Sequence, residues 1–321
     1  QLALEYFEQV QQLDPDFEPC YCNRIITYTE MDQHEKAEEM FYMAQQLEPD
    51  CELCFYNIGN NLFIRKDYPK AIACWEKTAE LEPTHPKINY RIAQAYWMQE
   101  DYQNARKYFL REIRMNPGDT DIILDFGLLL LDTGDITSAR EKFNRIIEFT
   151  PDSATAHFYL GEIAFQQGEY NKAVRRYNEA LQHDNMLSGP RLRLARRAID
   201  TNRNEEALTY LMSELRLAPE DANIWVCLGS LFSEIAEYDW AAHCLLKAID
   251  IDSSNSDAYY YLGIVSACMG ELEDASKFFE NTIDIEPEHT EALQYSALIF
   301  LLNKNLNSSL ARIEQAVKAS D

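Results

Sequence analysis

The sequence predicts an all-α protein, an α-solenoid of about nine helix pairs preceded by one half-pair. Three series of residues predict it, because prolines, alanines and large apolar residues each recur every 34 positions in a common phase. A period of this length is typical of stacked helical repeats. The composition agrees: 46% hydrophobic residues can fill a continuous core, and ten glycines and eleven prolines are too few for a turn-rich β fold.

The proline series predicts where each unit ends. Proline cannot continue a helix, because it lacks an N–H group and its ring clashes with the preceding turn. Each proline therefore indicates a helix end and the link to the next unit. Asn185, Ser253 and Asp321 stand at the positions of this phase that lack proline, and the prolines are Pro15, Pro49, Pro83, Pro117, Pro151, Pro219 and Pro287.

Two further series indicate how the helices of one unit pack. A small residue lets two helices approach closely, and a large one fills the space beside it. The small series is Ala3, Ala37, Ala71, Ala105, Ala139, Ala173, Ala207, Ala241, Ala275 and Ser309. The large series is Phe7, Phe41, Trp75, Phe109, Phe143, Tyr177, Leu211, Leu245, Phe279 and Ile313. A looser series of glycine or alanine is Gly59, Ala93, Gly127, Gly161, Ala195, Gly229, Gly263 and Ala297.

Within one unit, the apolar pattern is helical on both sides of a short turn. In residues 154–187, Leu160 and Ala164 share one helix face, and Ala173 and Tyr177 share a face of the next helix. The unit is therefore predicted to be an antiparallel helix pair. One pair cannot cover its own apolar face, so we expect successive pairs to stack.

The repeat resembles the tetratricopeptide repeat (TPR), whose unit of about 34 residues carries W-x2-L-G-x2-Y, then Ala, Phe and Pro. Trp225, Leu228, Gly229 and Phe232 match that pattern, followed by Ala241 and Leu245, and so do Tyr259, Leu262 and Gly263, followed by Ala275, Phe279 and Pro287. The resemblance covers the whole chain. It implies a right-handed superhelix whose concave side is lined by the first helix of each unit.

In this register, residues 1–321 form a single array. Its units are 18–51, 52–85, 86–119, 120–153, 154–187, 188–221, 222–255, 256–289 and 290–321, after a half-unit at 1–17. Solenoid ends require a polar cap, and neither end of this array has one. We therefore expect the chain to be a segment of a longer protein, or to have an end covered by another chain. The uncapped ends are candidate surfaces for self-association.

The charge balance restricts the classes of partner. A net charge of −25 and a pI near 4.6 repel nucleic acid and anionic lipid, so no nucleic-acid partner is expected. Any partner steered by charge would be basic.

No apolar run approaches the roughly 18 residues of a membrane span, so no membrane insertion is expected. Eight cysteines without a dense disulfide framework, and no visible signal peptide, favour a cytoplasmic location.

No catalytic motif stands out. The sequence lacks a glycine-rich phosphate loop, a His-Glu-x-x-His pair and a Gly-x-Ser-x-Gly elbow. We therefore expect no catalytic residues, no enzymatic activity and no cofactor.

The cysteines Cys20, Cys22, Cys51 and Cys54 raise the question of a zinc site. In the repeat register, the two pairs lie at corresponding ends of adjacent helices. Because packed helices lie about 8–10 Å apart, closing all four on one ion would require distortion. Cysteine is also a common buried residue. We therefore expect these cysteines to be packing residues and expect no metal site.

The resemblance implies partner contacts on the inner face of the first helices. The function it implies is a non-enzymatic scaffold that binds a peptide or partner protein in the concave groove. The alternative is a docking arm of a larger multidomain enzyme, as in the glycosyltransferase that attaches O-linked N-acetylglucosamine. The candidate groove residues are Tyr56, Asn57, Asn60, Lys87, Tyr90, Arg91, Gln94, Asp125, Tyr159, Glu162, Arg193 and Arg196.

Two basic spots lie among these residues. TPR domains that hold chaperone tails use a five-residue carboxylate clamp, and Asn57, Lys87 and Arg91 occupy its last three positions. Cys22 and Ile26 replace the first two, so Lys87 and Arg91 are expected to take only a single carboxylate. At Arg193 and Arg196, two interpretations remain open. These arginines either contact an anionic partner or neutralise nearby acids such as Asp125 and Glu162.

Overall fold

The computed structural model describes residues 2–320, and every regular element in that range is an α-helix. The all-α prediction is confirmed. The chain divides into two compact units, the first ending at Ala156 and the second beginning at His157.

The first unit contains a leading helix and four helix pairs. In each pair, a first helix precedes a second helix, and even-numbered labels denote first helices. The helices are α1 (Leu2–Leu13), α2 (Glu18–Glu30), α3 (His34–Leu47), α4 (Glu52–Ile64), α5 (Tyr68–Leu81), α6 (Ile88–Met98), α7 (Tyr102–Met115), α8 (Thr120–Asp132) and α9 (Ile136–Phe149).

The second unit repeats the same alternation. Its helices are α10 (Ala154–Gln166), whose first three residues precede the boundary, α11 (Tyr170–His183), α12 (Pro190–Asp200), α13 (Asn204–Leu215), α14 (Ala222–Glu234), α15 (Tyr238–Ile251), α16 (Ser256–Met269), α17 (Leu272–Ile285), α18 (Thr290–Leu302) and α19 (Leu306–Ser320).

The second helices begin every 34 residues, from His34 to Leu306. Three of them in the first unit share the same cap, because the carboxylates of Asp67, Asp101 and Asp135 accept a hydrogen bond from the backbone N–H three residues later. An N-cap of this kind satisfies a backbone donor that the helix itself cannot pair. The period of the sequence is thus also a period of helix starts.

Close contact between the helices of a pair comes from the small and large residues of the repeat. The alanines from Ala37 to Ala275 in the small series are fully buried. Glycines of the first helices lie against the large residue 16 positions later, so that a Cβ on each would fall 2.5–2.7 Å from that side chain. The glycine and its neighbour are Gly59 and Trp75, Gly127 and Phe143, Gly161 and Tyr177, Gly229 and Leu245, and Gly263 and Phe279.

Candidate functional site

One cavity in the first unit is lined by three successive first helices. It has a volume of about 250 Å³, and we refer to it as the Arg91 cavity. Helices α2, α4 and α6 all contribute to it because they follow one another side by side. Its lining residues are Ile26, Thr29, Glu30, Asn57, Asn60, Phe63, Ile64 and Arg91.

Arg91 presents a guanidinium group to this cavity without an acidic partner. Its Nη1 lies 3.4 Å from Oε1 of Gln94, and within residues 2–320 no carboxylate lies at ion-pair distance from it. Lys87 differs, because its Nζ lies 2.8 Å from Oδ2 of Asp119. Lys87 and Arg91, which the sequence analysis treated as one basic spot, are therefore not equivalent, because Lys87 forms an ion pair with Asp119.

The two asparagines of the cavity also differ. Asn57 is buried, and its Nδ2 donates to the backbone carbonyl of Cys22 at 3.2 Å, which holds the amide in place. Asn60 is half-buried and lines the cavity one helical turn later. Tyr56 packs its ring on His85, with 4.4 Å between the ring centroids, and its carbonyl accepts a hydrogen bond from Trp75.

Tyr90, Gln94 and Asp125 form a network between α6 and α8. Oδ2 of Asp125 accepts hydrogen bonds from the Tyr90 hydroxyl at 2.7 Å and from Nε2 of Gln94 at 3.2 Å. Burial, followed by the hydrogen bond to Asp125, raises the pKa of Tyr90. The phenol therefore stays protonated near neutral pH and donates to the carboxylate. This network holds adjacent first helices together.

In the second unit, Arg193 forms an ion pair with Glu162. Its Nε and Nη2 donate to the two carboxylate oxygens at 2.9 and 2.6 Å. The Tyr177 hydroxyl donates to the same carboxylate at 2.6 Å, and burial together with that bond raises the pKa of Tyr177. For Arg193, the geometry is that of local neutralisation. Tyr159 is half-buried with its ring beside Phe158, 5.3 Å between centroids.

Arg196 lines a second cavity of about 280 Å³. Its Nε donates to Sγ of Cys227 at 3.2 Å. Four first helices, α10, α12, α14 and α16, contribute to this cavity. Three carboxylates surround the single arginine, so this cavity is more acidic than the Arg91 cavity. Its lining residues are Phe165, Arg196, Ile199, Asp200, Val226, Cys227, Ser230, Glu234, Asp257 and Tyr261.

The expectation that the four cysteines would not converge is wrong for three of them. Donor atoms of Glu18, Cys22, Cys51 and Cys54 all lie within 4.8 Å of one another, and all four residues are buried. Helix spacing misled the prediction because the side chains approach from helix ends: Cys51 is the N-cap of α4, and Glu18 begins α2. Cys20 lies outside the cluster, and its Sγ donates to the carbonyl of Phe7 at 3.1 Å.

Sequence reasoning missed Glu18 as a member of this cluster. A usable signal was present, since Glu18 and Cys22 stand four residues apart and so share one face of a helix. The cysteine pattern drew attention to Cys20 instead.

Comparison with known proteins identifies what the repeats of this chain are similar to. The family model described as tetratricopeptide repeat matches residues 56–120 and 124–185. A 99-residue stretch is 28% identical to the human protein O-mannosyl-transferase TMTC3. That stretch covers 30% of this chain and 11% of the human protein.

Solved structures agree on the fold. The APC/C hetero-tetramer Cut9–Hcn1 contains a chain that is 16% identical, with a TM-score of 0.64 over 95% of this chain and 61% of the other. A tetratricopeptide repeat protein from Parabacteroides merdae is 14% identical, with a TM-score of 0.60 over 77% of this chain and 97% of the other. Across the described helices, none combines the length and apolar character needed to cross a bilayer.

Proposed function

We propose that this chain, whose residues 56–120 and 124–185 match the tetratricopeptide repeat model, is a non-enzymatic interaction scaffold, because folds of that family bind peptides or proteins. Its ligand is a peptide or a segment of a partner protein, bound along the face of the first helices. The observation that carries this proposal is Arg91, which lines a cavity shared by three first helices without a carboxylate partner among the described residues.

An arginine in this setting favours a carboxylate ligand. The guanidinium group matches a carboxylate with two parallel N–H donors, and such charge-assisted pairs are about twice as strong as neutral hydrogen bonds. Lys87 and Arg193 supply no comparable site, because Asp119 and Glu162 already neutralise them. We therefore assign the carboxylate contact to Arg91 alone.

The rest of the Arg91 cavity specifies what surrounds that carboxylate. Ile26, Phe63 and Ile64 offer apolar surface for one side chain, and the Asn60 amide can bond a peptide group. Glu30 favours a basic residue nearby. The net charge of −25 disfavours an acidic peptide at long range. The expected ligand therefore carries one carboxylate, such as a chain terminus, in a neutral or basic segment.

A peptide screen tests this proposal and does not require the natural partner. The 321-residue chain is screened against a random peptide library with free C-termini, and the affinities of the recovered peptides are measured. Arg91→Glu should weaken binding by about tenfold or more, because a charge-assisted hydrogen bond is replaced by repulsion. The control Arg114→Glu makes the same charge change on an exposed residue of the second helix α7 in the same repeat.

If Arg91→Glu and Arg114→Glu weakened peptide binding equally, only the overall charge of the chain would matter. That result would remove the Arg91 cavity from the proposal. A screen that returns no peptide would count against peptide binding at this face. Retained helicity by circular dichroism establishes that each variant is folded.

A second candidate function is the docking segment of a larger enzyme. The observation that favours it is the match to a stretch of a human O-mannosyl-transferase. The coding sequence on both sides of this segment tests it. A catalytic domain in the same reading frame would support the docking role, and stop codons with no such domain would contradict it.

A further inference from the structure

We propose that Glu18, Cys22, Cys51 and Cys54 form a Zn²⁺ site that joins the first two helix pairs of the first unit. Three cysteine sulfurs and one carboxylate are a donor set that zinc accepts in four-coordinate structural sites. All four residues are buried and their donor atoms lie within 4.8 Å of one another. The ligands come from both sides of the contact between α2 and α4.

The separation of the Cys22 and Cys51 sulfurs suits a tetrahedral ion, whereas the Cys22 and Cys54 sulfurs would have to move apart to bind one. With Zn–S bonds of about 2.3 Å, two ligand sulfurs of one tetrahedron lie roughly 3.8 Å apart. Sγ of Cys22 and Sγ of Cys51 are 3.8 Å apart. On the other side of the cluster, Sγ of Cys54 donates to Oε1 of Glu18 at 2.9 Å. A dication would take the place of that thiol proton.

Neighbouring backbone and amide groups supply the outer contacts that thiolate ligands need. The backbone N–H of Cys54 points to Sγ of Cys51 at 3.4 Å, and Nδ2 of Asn57 lies 3.8 Å from Sγ of Cys22. Three thiolates and one carboxylate carry two more negative charges than Zn²⁺ offsets. The N-terminal ends of α2 and α4, both 13 residues long, lie at the cluster and favour that excess negative charge.

A disulfide is the competing occupant of this cluster. The sulfurs of Cys22 and Cys54 lie in bonding contact, and their Cα atoms are 5.2 Å apart, which a disulfide tolerates. However, a disulfide would use two of the four donors. It would also remove the thiol proton that Cys54 donates to Glu18, and so leave a buried carboxylate without that partner. Convergence of all four donors therefore favours a cation.

Metal content of the wild-type chain is the first test. The protein is purified with a thiol reductant, loaded with Zn²⁺, dialysed and submitted to elemental analysis. We expect about one zinc per chain that a weak chelator does not remove. With Co²⁺ in its place, a sulfur-to-cobalt charge-transfer band should appear in the near ultraviolet. Absence of stoichiometric metal and of this band would overturn the proposal.

Thiol counting identifies the competing disulfide without any variant. The zinc-loaded, dialysed chain is denatured with a chelator and no reductant. Under the proposal all eight cysteines react. A result of six reactive thiols with no bound metal would assign a disulfide to the cluster and overturn the zinc site.

Substitutions then test the ligand assignment. Cys51→Ser should weaken affinity for zinc by about a hundredfold or more, measured by competition with a chelating dye. Glu18→Gln should weaken it less and keep the cobalt charge-transfer band, because three sulfurs remain. Cys20→Ser is the matched control, a buried cysteine outside the cluster, and should leave affinity unchanged. Equal affinity for Cys51→Ser and Cys20→Ser would overturn the assignment.

Discussion

Gly127 on α8 lies against the ring of Phe143 on α9, so that a Cβ at Gly127 would come within 2.7 Å of Cε1 of that ring. Both residues belong to series that recur every 34 positions. The small residue sets how closely the two helices of a pair approach, and the fully buried phenylalanine fills the space beside it. The same relationship joins Gly59 to Trp75 in the pair of α4 and α5.

Gly127→Ala should therefore destabilise the first unit. The added methyl group forces the Phe143 ring or the helices to shift, which costs about 1–3 kcal/mol in a packed core. Urea unfolding followed by circular dichroism measures the change. Gly118→Ala is the matched control, because no heavy atom lies within 4 Å of a Cβ at that position. A Gly127→Ala protein as stable as wild type would show that the two helices can yield to the extra methyl group.

Asp101 should contribute to stability as a helix cap. Asp101→Ala removes the acceptor for the backbone N–H of Asn104 and should cost about 1 kcal/mol. Asp101→Asn keeps an acceptor and should retain most of that stability. Chemical unfolding at neutral pH compares the two variants. A loss of equal size for alanine and asparagine would contradict the capping role.

The same residue predicts a pH dependence. Hydrogen bonds from the side chain and then the backbone of Asn104 hold the pKa of Asp101 below its usual value. A carboxylate whose pKa is lower in the folded state stabilises the fold above its unfolded pKa of about 3.9. That stability is lost as pH falls through this value towards the lower folded pKa. Asp101→Asn should flatten this part of the acid unfolding curve; an unchanged curve would contradict the shift.

Arg193 and Glu162 should be coupled in stability. Arg193→Leu leaves the Glu162 carboxylate with the Tyr177 hydroxyl but without its two guanidinium donors. A double-mutant cycle with Glu162→Gln should give a coupling energy of about 1–2 kcal/mol, since both side chains are partly buried. The exposed pair Arg203 and Glu206 is the control, with an expected coupling below about 0.5 kcal/mol. Equal couplings would contradict the neutralising role of Arg193.

The fold was predictable because the residues that pack the helices of each pair recur at a fixed period in the sequence. Ala139 and Phe143 are conspicuous in the sequence for the same reason that they are buried, since helix pairs of fixed geometry need a small and a large residue at fixed positions. The helix starts follow the period as well. The second helices begin at 34-residue intervals from His34 onwards.

The candidate site was only partly predictable, because pairing between repeats decides which charges are available. Lys87, Arg91 and Arg193 were all candidate cations for a ligand in the sequence. In the structure, Lys87 forms an ion pair with Asp119, and Arg193 forms one with Glu162. Such contacts join residues about one repeat apart, as with Glu162 and Arg193, 31 positions apart. The helical register indicates which residues lie close enough to pair. Which of them do pair depends on their side-chain rotamers, and packing against neighbouring residues sets those rotamers.

The central claim is that Arg91 binds a ligand carboxylate. A double-mutant cycle that combines a substitution at Arg91 with removal of the peptide's terminal carboxylate tests it most directly. A peptide recovered by screening is measured with a free C-terminus and as its amide, against the wild-type chain and Arg91→Gln. Amidation should weaken wild-type binding by about tenfold or more and leave binding to Arg91→Gln nearly unchanged, while Arg114→Gln behaves like wild type. An equal loss on amidation for wild type and Arg91→Gln would contradict the claim.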